Sequence, residues 1–186
     1  MELMEALATR RSVRKYLPTP VERATLAELM RAATLAPSAM NTQPWAFGVI
    51  TDAAMLRDYS DRTKTLLRSL TGTLPWLAGY RTLLEDPEFD IFYGAPACIV
   101  IFGKPSGPAV QGDCAMAAQN LMLAARDRGL GTCWIGFFQF LLDNPEEKAA
   151  LGVPADDRVI APIIVGVPDG TVPMPERQAP EVVFWE

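Results

Sequence analysis

The chain has 186 residues, 49% hydrophobic and 21% charged, the balance of an ordinary globular protein with one core rather than a fibre or a disordered segment. Its formal net charge of −5 argues against nucleic acid as a main partner, because neutralising phosphates demands a basic face. Histidine is absent, which removes serine–histidine and cysteine–histidine nucleophiles and histidine-ligated zinc, so an enzyme of this composition is expected to borrow its chemistry from a bound cofactor.

Residues 2 to 9 read as a short helix that carries acids where a secretory signal would be positive, so the expected compartment is the cytoplasm. "TPVE" at 19 to 22 predicts a second helix start, with Thr19 as N-cap, Pro20 at the first position and Glu22 closing a capping box. Val21, Leu26, Leu29, Met30 and Ala33 follow at helical spacing, and the helix is expected to stop before Pro37. "WAFGVIT" (45 to 51) predicts a strand and residues 52 to 70 a helix, whereas 71 to 93, broken by Gly72, Pro75, Gly79 and Pro87, shows no regular pattern. "ACIVIFG" (97 to 103) predicts a buried strand; the apolar run around it is far short of the roughly 20 residues that span a membrane. Residues 109 to 128 predict a helix that is apolar around most of its circumference and therefore buried. Strands are expected at 131 to 136 and 158 to 168, with a helix near 143 to 151 between them. From Pro168 onward four prolines keep the tail extended until "EVVFW" offers a last short strand. Cys98, Cys114 and Cys133 are odd in number and widely spaced, which suits reduced, buried thiols. The whole, 1 to 186, reads as one α+β domain with a mostly covered sheet.

Three segments carry candidate chemistry. In "RRSVRKY" (10 to 16) an extended backbone puts Arg10, Ser12 and Arg14 on one face, and guanidinium forks with a hydroxyl match a phosphate. The same residues also suit a solvated basic patch after a helix. "APSAMNTQPW" (36 to 45) sets Ser38, Asn41, Thr42 and Gln43 between two prolines, as either a rigid loop presenting polar contacts to a heterocycle or a plain connection. In "GLGTCWIGFF" (129 to 138) glycines flank a strand, either to let a backbone approach a flat ligand or to stop a helix.

With "YGAPACIVIFG", "AAQNLMLAARDRGLGTCWIG" and a closing "PER" before "EVVFW", these segments make the chain resemble the FMN-dependent nitroreductase family over nearly its whole length, closest to its short, single-domain members. The resemblance implies a nitroreductase-like α+β fold: a central, mostly antiparallel or mixed sheet covered by helices, an extended C-terminal arm, and a domain-exchanged homodimer with FMN between subunits. It implies that Arg10, Ser12 and Arg14 grip the FMN phosphate and ribityl chain, that Arg11 adds its backbone or side chain, and that Arg177 of "PER" closes the phosphate site. Pro37, Ser38, Ala39 and Asn41 would reach the flavin held mainly by the partner. "CWIG" would bring Trp134, Ile135 and Gly136 to the ring, with the N–H groups of Ile135 and Gly136 facing N5 and O4. Lys64 matches a position at the pyrimidine edge, which a solvated helix lysine fills equally well. Helix 109 to 128 suits a dimer core or the chain's own.

The activity implied is hydride transfer from NADH or NADPH through the flavin to a flat electrophile, nitroaromatic, quinone or similar, in ping-pong order and without a protein acid or base. Dehydrogenases, dehalogenases and flavin-sequestering proteins share the resemblance and stay open here. Met40 stands where many relatives have glycine, and 71 to 93 corresponds to the region that lines the family's substrate pocket.

Overall fold

A computed structural model describes residues 1–186. The two most apolar strands, β2 (Ala97–Gly103) and β4 (Arg158–Gly166), form the middle of a four-stranded sheet; β1 (Trp45–Ile50) pairs outside β2, and β3 (Gly131–Trp134) outside β4. Every ladder is antiparallel. Both faces of the sheet are covered, which is why β2 and β4 read as nearly continuous apolar runs rather than alternating ones.

On one face Ala97, Ile99 and Ile101 pack with Leu26 and Leu29 of α2 (Arg23–Ala33) and with Cys114, Ala117, Ala118 and Leu121 of α5 (Val110–Asp127). On the other, Cys98, Val100 and Phe102 meet Leu56 and Tyr59 of α3 (Ala53–Leu70) and Phe138 and Leu142 of α6 (Gly136–Leu142). A bulge opposite Ile101 and Phe102 leaves Ile160 unpaired, so Ile160 and Ala161 both turn to the α2 and α5 side. The alanine-rich α5 thus spends much of its apolar surface in the core of its own chain. Each fully buried Leu, Ile or Phe contributes about 1.5–3 kcal/mol.

Short helix α1 (Leu3–Thr9) leads into this core. Several expected boundaries shift. Helix α2 starts at Arg23, with Glu22 in the cap position and no side-chain cap bond, so the box from Thr19 does not form. Leu17 N–H donates to the Val167 carbonyl and Tyr16 bridges Pro168, which ties the start of this approach to the end of β4. Region 71 to 93 is more ordered than its composition suggests: it holds a 3-10 turn, Pro75–Tyr80, and α4 (Arg81–Glu85). The helix expected near 143 to 151 is α7 (Pro145–Ala150), with Asn144 capping Glu146 N–H and Pro145 at the first position. "EVVFW" forms no strand; Val183, Phe184 and Trp185 are exposed, with no sheet edge of their own chain beside them. All three cysteines are buried and unpaired, as expected. No helix is long and apolar enough to cross a membrane.

Candidate functional site

Segment 10 to 16 is built onto the edge of β3. Arg11 stops α1 by donating to the carbonyls of Ala8 (2.8 Å) and Arg10 (2.7 Å), a cation placed where helix carbonyls lack partners. Val13 N–H then donates to Thr132 O at 2.9 Å, and Asp169 N–H to Lys15 O at 3.0 Å. Val13 and Tyr16 are buried, and the Tyr16 hydroxyl donates back to Val13 O at 2.8 Å. Burial of Val13 turns its neighbours Ser12 and Arg14 outward.

There Arg10, Arg11, Ser12 and Arg14 line a cleft of about 300 Å³ with Val172, Pro173, Pro175 and, from the far end of the chain, Arg177. No carboxylate lines it. None of the four arginines takes part in an ion pair, and Arg11 Nε is buried without a hydrogen-bond partner. Like charges gathered this way repel one another until an anion joins them.

Arg14 also lines a second cleft, about 370 Å³, over the turn from β3 into α6. Its guanidinium carbon lies 5.9 Å from the centroid of the Tyr93 ring. Cys133, Trp134 and Gly136 line the cleft from the turn, with Trp76, Tyr80, Phe137 and Phe140 around them. Burial pushes the Cys133 thiol up, against the pull of Arg14, so it remains a protonated thiol rather than a nucleophile. Burial likewise raises the Tyr93 phenol.

The backbone of this turn departs from the expectation for Ile135. Its N–H donates to Pro162 O at 2.8 Å and its side chain is 5% exposed. The N–H groups without a partner in the chain are the next two, Gly136 and Phe137, which open α6 with no side-chain cap. A Cβ added at Gly136 would meet nothing within 4 Å, so the space above it is open.

Pro37, Ser38, Ala39 and Asn41 lie elsewhere, on a loop beside the start of α5, and line neither cleft. Both carboxylate oxygens of Asp113 accept from Ala39 N–H at 3.2 Å, and Ser38 Oγ accepts from Gln43 N–H at 2.9 Å. Met40, Asn41 and Gln43 have φ of 52°, 53° and 48°, a left-handed conformation that suits asparagine and strains methionine. Lys64 also lines neither cleft: its ammonium donates to Phe89 O at 2.7 Å, pairs with Asp61 at 3.1 Å, and holds the 86 to 94 stretch against α3. Sequence reasoning missed Asp113 and Tyr93. A signal existed for Asp113, the one acid in the first turns of an otherwise apolar helix, since a buried carboxylate needs a donor.

The nitroreductase family model matches residues 7–167. A 5,6-dimethylbenzimidazole synthase of Rhodospirillum rubrum is 33% identical over 91% of this chain and 83% of its own. An iodotyrosine deiodinase of Thermotoga neapolitana is 28% identical over 98% of this chain and 97% of its own. Among solved structures, a nitroreductase with bound FMN from Bacteroides fragilis superposes with a TM-score of 0.86 over 100% of both chains, at 25% identity. The sheet order, the helices on both faces and the match along nearly the whole sequence place the chain in the nitroreductase family.

Proposed function

We propose that the chain is an FMN-dependent oxidoreductase, acting as a homodimer, that takes a hydride from NADH or NADPH and delivers it to a flat electrophile such as a nitroaromatic or a quinone. The observation that carries this reading is the acid-free cleft where Arg10, Arg14 and Arg177 converge with Ser12. A phosphate dianion fits it, because guanidinium forks bind phosphate oxygens in pairs and the serine hydroxyl adds a short donor. Arg11 keeps one unpartnered N–H beside that cleft. The second cleft shares Arg14, has an aromatic lining and suits the flavin ring; that a nitroreductase of the same fold was solved with bound FMN supports FMN as the ligand.

Bound there, FMN supplies a ring nitrogen that accepts a hydride and gives it up again. Residues of the chain supply the rest. The arginines would hold and neutralise the phosphate, and the unpartnered N–H groups of Gly136 and Phe137 at the cleft would supply dipoles able to stabilise negative charge there without reorganising. Trp134 and Tyr93, which line that cleft, would shield a bound ring from water. Gly136, with open space where a side chain would project, allows close approach of the ring.

Since loop 37–43 lines neither cleft of its own chain, its Pro37, Ser38, Ala39 and Asn41 are assigned to the partner's site. The exposed Val183, Phe184 and Trp185 supply an arm for the neighbouring subunit. Nicotinamide and acceptor use the same aromatic cleft in turn, a ping-pong order that needs no acid or base from the protein. Three free thiols support a reducing compartment, the cytoplasm.

The test is direct. Purified protein is expected to be yellow, to release equimolar FMN, and to bleach with NADH or NADPH in stopped flow. A colourless chain that refuses added FMN refutes the phosphate assignment. A yellow chain that neither nicotinamide bleaches refutes the reductase reading and leaves flavin storage.

A further inference from the structure

The cleft over the β3–α6 turn has exposed aromatic walls from two separate elements. Trp76 and Tyr80 come from the Pro75–Tyr80 turn and Phe137 and Phe140 from α6; Trp76 stays 49% exposed, Tyr80 44% and Phe140 37%. Trp76 lies nearly parallel to Phe137, with 19° between planes and centroids 6.5 Å apart, and Tyr80 meets Phe137 edge-on at 5.2 Å. Large aromatic side chains left half exposed around one concavity mark a ligand surface.

The charge inventory is as informative as the aromatic one. Arg14 is the one charged side chain that lines this cleft. On the reading above, on which this inference rests, its guanidinium belongs to the phosphate. Loop 36 to 44, assigned to the partner's site, contains no Asp, Glu, Lys or Arg either. A charged acceptor would surrender water on entry and meet no counter-ion. The reduced nicotinamide ring is itself uncharged.

We propose that this cleft selects uncharged flat aromatic acceptors, held against the exposed rings of Trp76 and Tyr80, which meet each other edge-on at 6.0 Å, and rejects those that carry a carboxylate or an amino-acid zwitterion. For a neutral nitroarene, one hydride equivalent and one solvent proton reach the nitro group, one N–O bond breaks, and a nitroso compound and one water leave. The two electrons come from NAD(P)H, which ends as NAD(P)+.

The holoenzyme, reduced photochemically so that the comparison does not depend on a nicotinamide, is mixed anaerobically with 4-nitrobenzamide or 4-nitrobenzoate, which share a shape and differ by one charge. Reoxidation by the amide is expected to be at least about tenfold faster. Trp76→Ala should slow the amide several-fold at unchanged FMN content, and Tyr80→Arg should narrow the preference by giving the carboxylate a partner. Equal rates, a faster carboxylate, or a Trp76→Ala enzyme that matches wild type overturns the inference. Each of these leaves the reductase reading intact, which fails instead if neither NADH nor NADPH bleaches the flavin. A chain that binds no FMN overturns both.

Discussion

Gly131→Ala tests whether the phosphate cleft depends on how segment 10 to 16 is laid against β3. The backbone at Gly131 has no positive φ, so only space decides the outcome. An added Cβ would stand 2.7 Å from Val13 Cγ2, 2.8 Å from Val13 Cβ and 3.0 Å from Pro168 Cγ. Carbon atoms rest at about 3.5–4.0 Å, so Val13 must retreat by roughly 1 Å. It has little room: it is 6% exposed, and its N–H is bonded to Thr132 O. Overpacking of this kind costs about 1–3 kcal/mol. For a chain of this length that lowers Tm by about 2–12 °C. Ser12 and Arg14 flank Val13, so their donors shift with it, and FMN affinity should fall about tenfold for each 1.4 kcal/mol by which phosphate binding weakens. Thermal melting and an FMN titration by fluorescence quenching read the two effects. Val13→Ala, which removes the nearest methyl group, should recover part of both in the Gly131→Ala background. Wild-type melting and wild-type FMN affinity for Gly131→Ala would refute the idea that packing against β3 holds the cradle.

Arg177→Ala should raise the FMN dissociation constant roughly tenfold to a hundredfold. It should also flatten the salt dependence of binding, read by titration at two ionic strengths; unchanged affinity would remove the tail from the phosphate site. Asp113→Asn keeps one acceptor oxygen for Ala39 N–H but removes the charge, and should accelerate hydrogen exchange at that amide while FMN binding to the arginine cleft of the same chain persists. Burial pushes Cys98 from 9.0 up to about 12 and Cys114 up to about 11. The folded chain therefore holds those protons after the unfolded chain has released them; the contribution is complete below about pH 9 and is lost as pH rises toward 11 and 12. Melting followed from about pH 8 to about pH 10.5 should show Tm falling above pH 9, and substituting both cysteines by alanine should flatten that slope.

Much of the fold was legible because its signals are local. Apolar runs mark β2 and β4, the 3.6-residue stripe marks α2, and glycine and proline mark the ends of elements. The facing of the arginine segment was legible for the same reason: alternation along an extended segment puts Ser12 and Arg14 on the side opposite Val13 without knowledge of anything distant. The pairings that were not legible join residues far apart in the chain, such as Asp113 with Ala39, Lys64 with Phe89 and Val13 with Gly131. Lys64 shows the limit well. Its position on α3 follows from the helical pattern, but nothing in "DRTK" says that a carbonyl 25 residues away will claim the ammonium.

Pro162 joins the two kinds of legibility. A proline inside a central strand counts against that strand, because it removes a ladder donor. The observed pairing removes the objection. In an antiparallel ladder the N–H and C=O of one residue point to the same side, and Pro162 O accepts from Ile135, just past the last residue of β3. The missing N–H therefore falls where β3 has already ended and takes no bond from the sheet. The carbonyl does the opposite: it captures Ile135 N–H and fixes where β3 gives way to α6, which leaves Gly136 and Phe137 as the first donors without partners, at the cleft. The Ile135 N–H, expected to face a ring, is held within the chain instead, and the cause is a strand residue 27 positions away whose effect is set only once β3 and β4 pair.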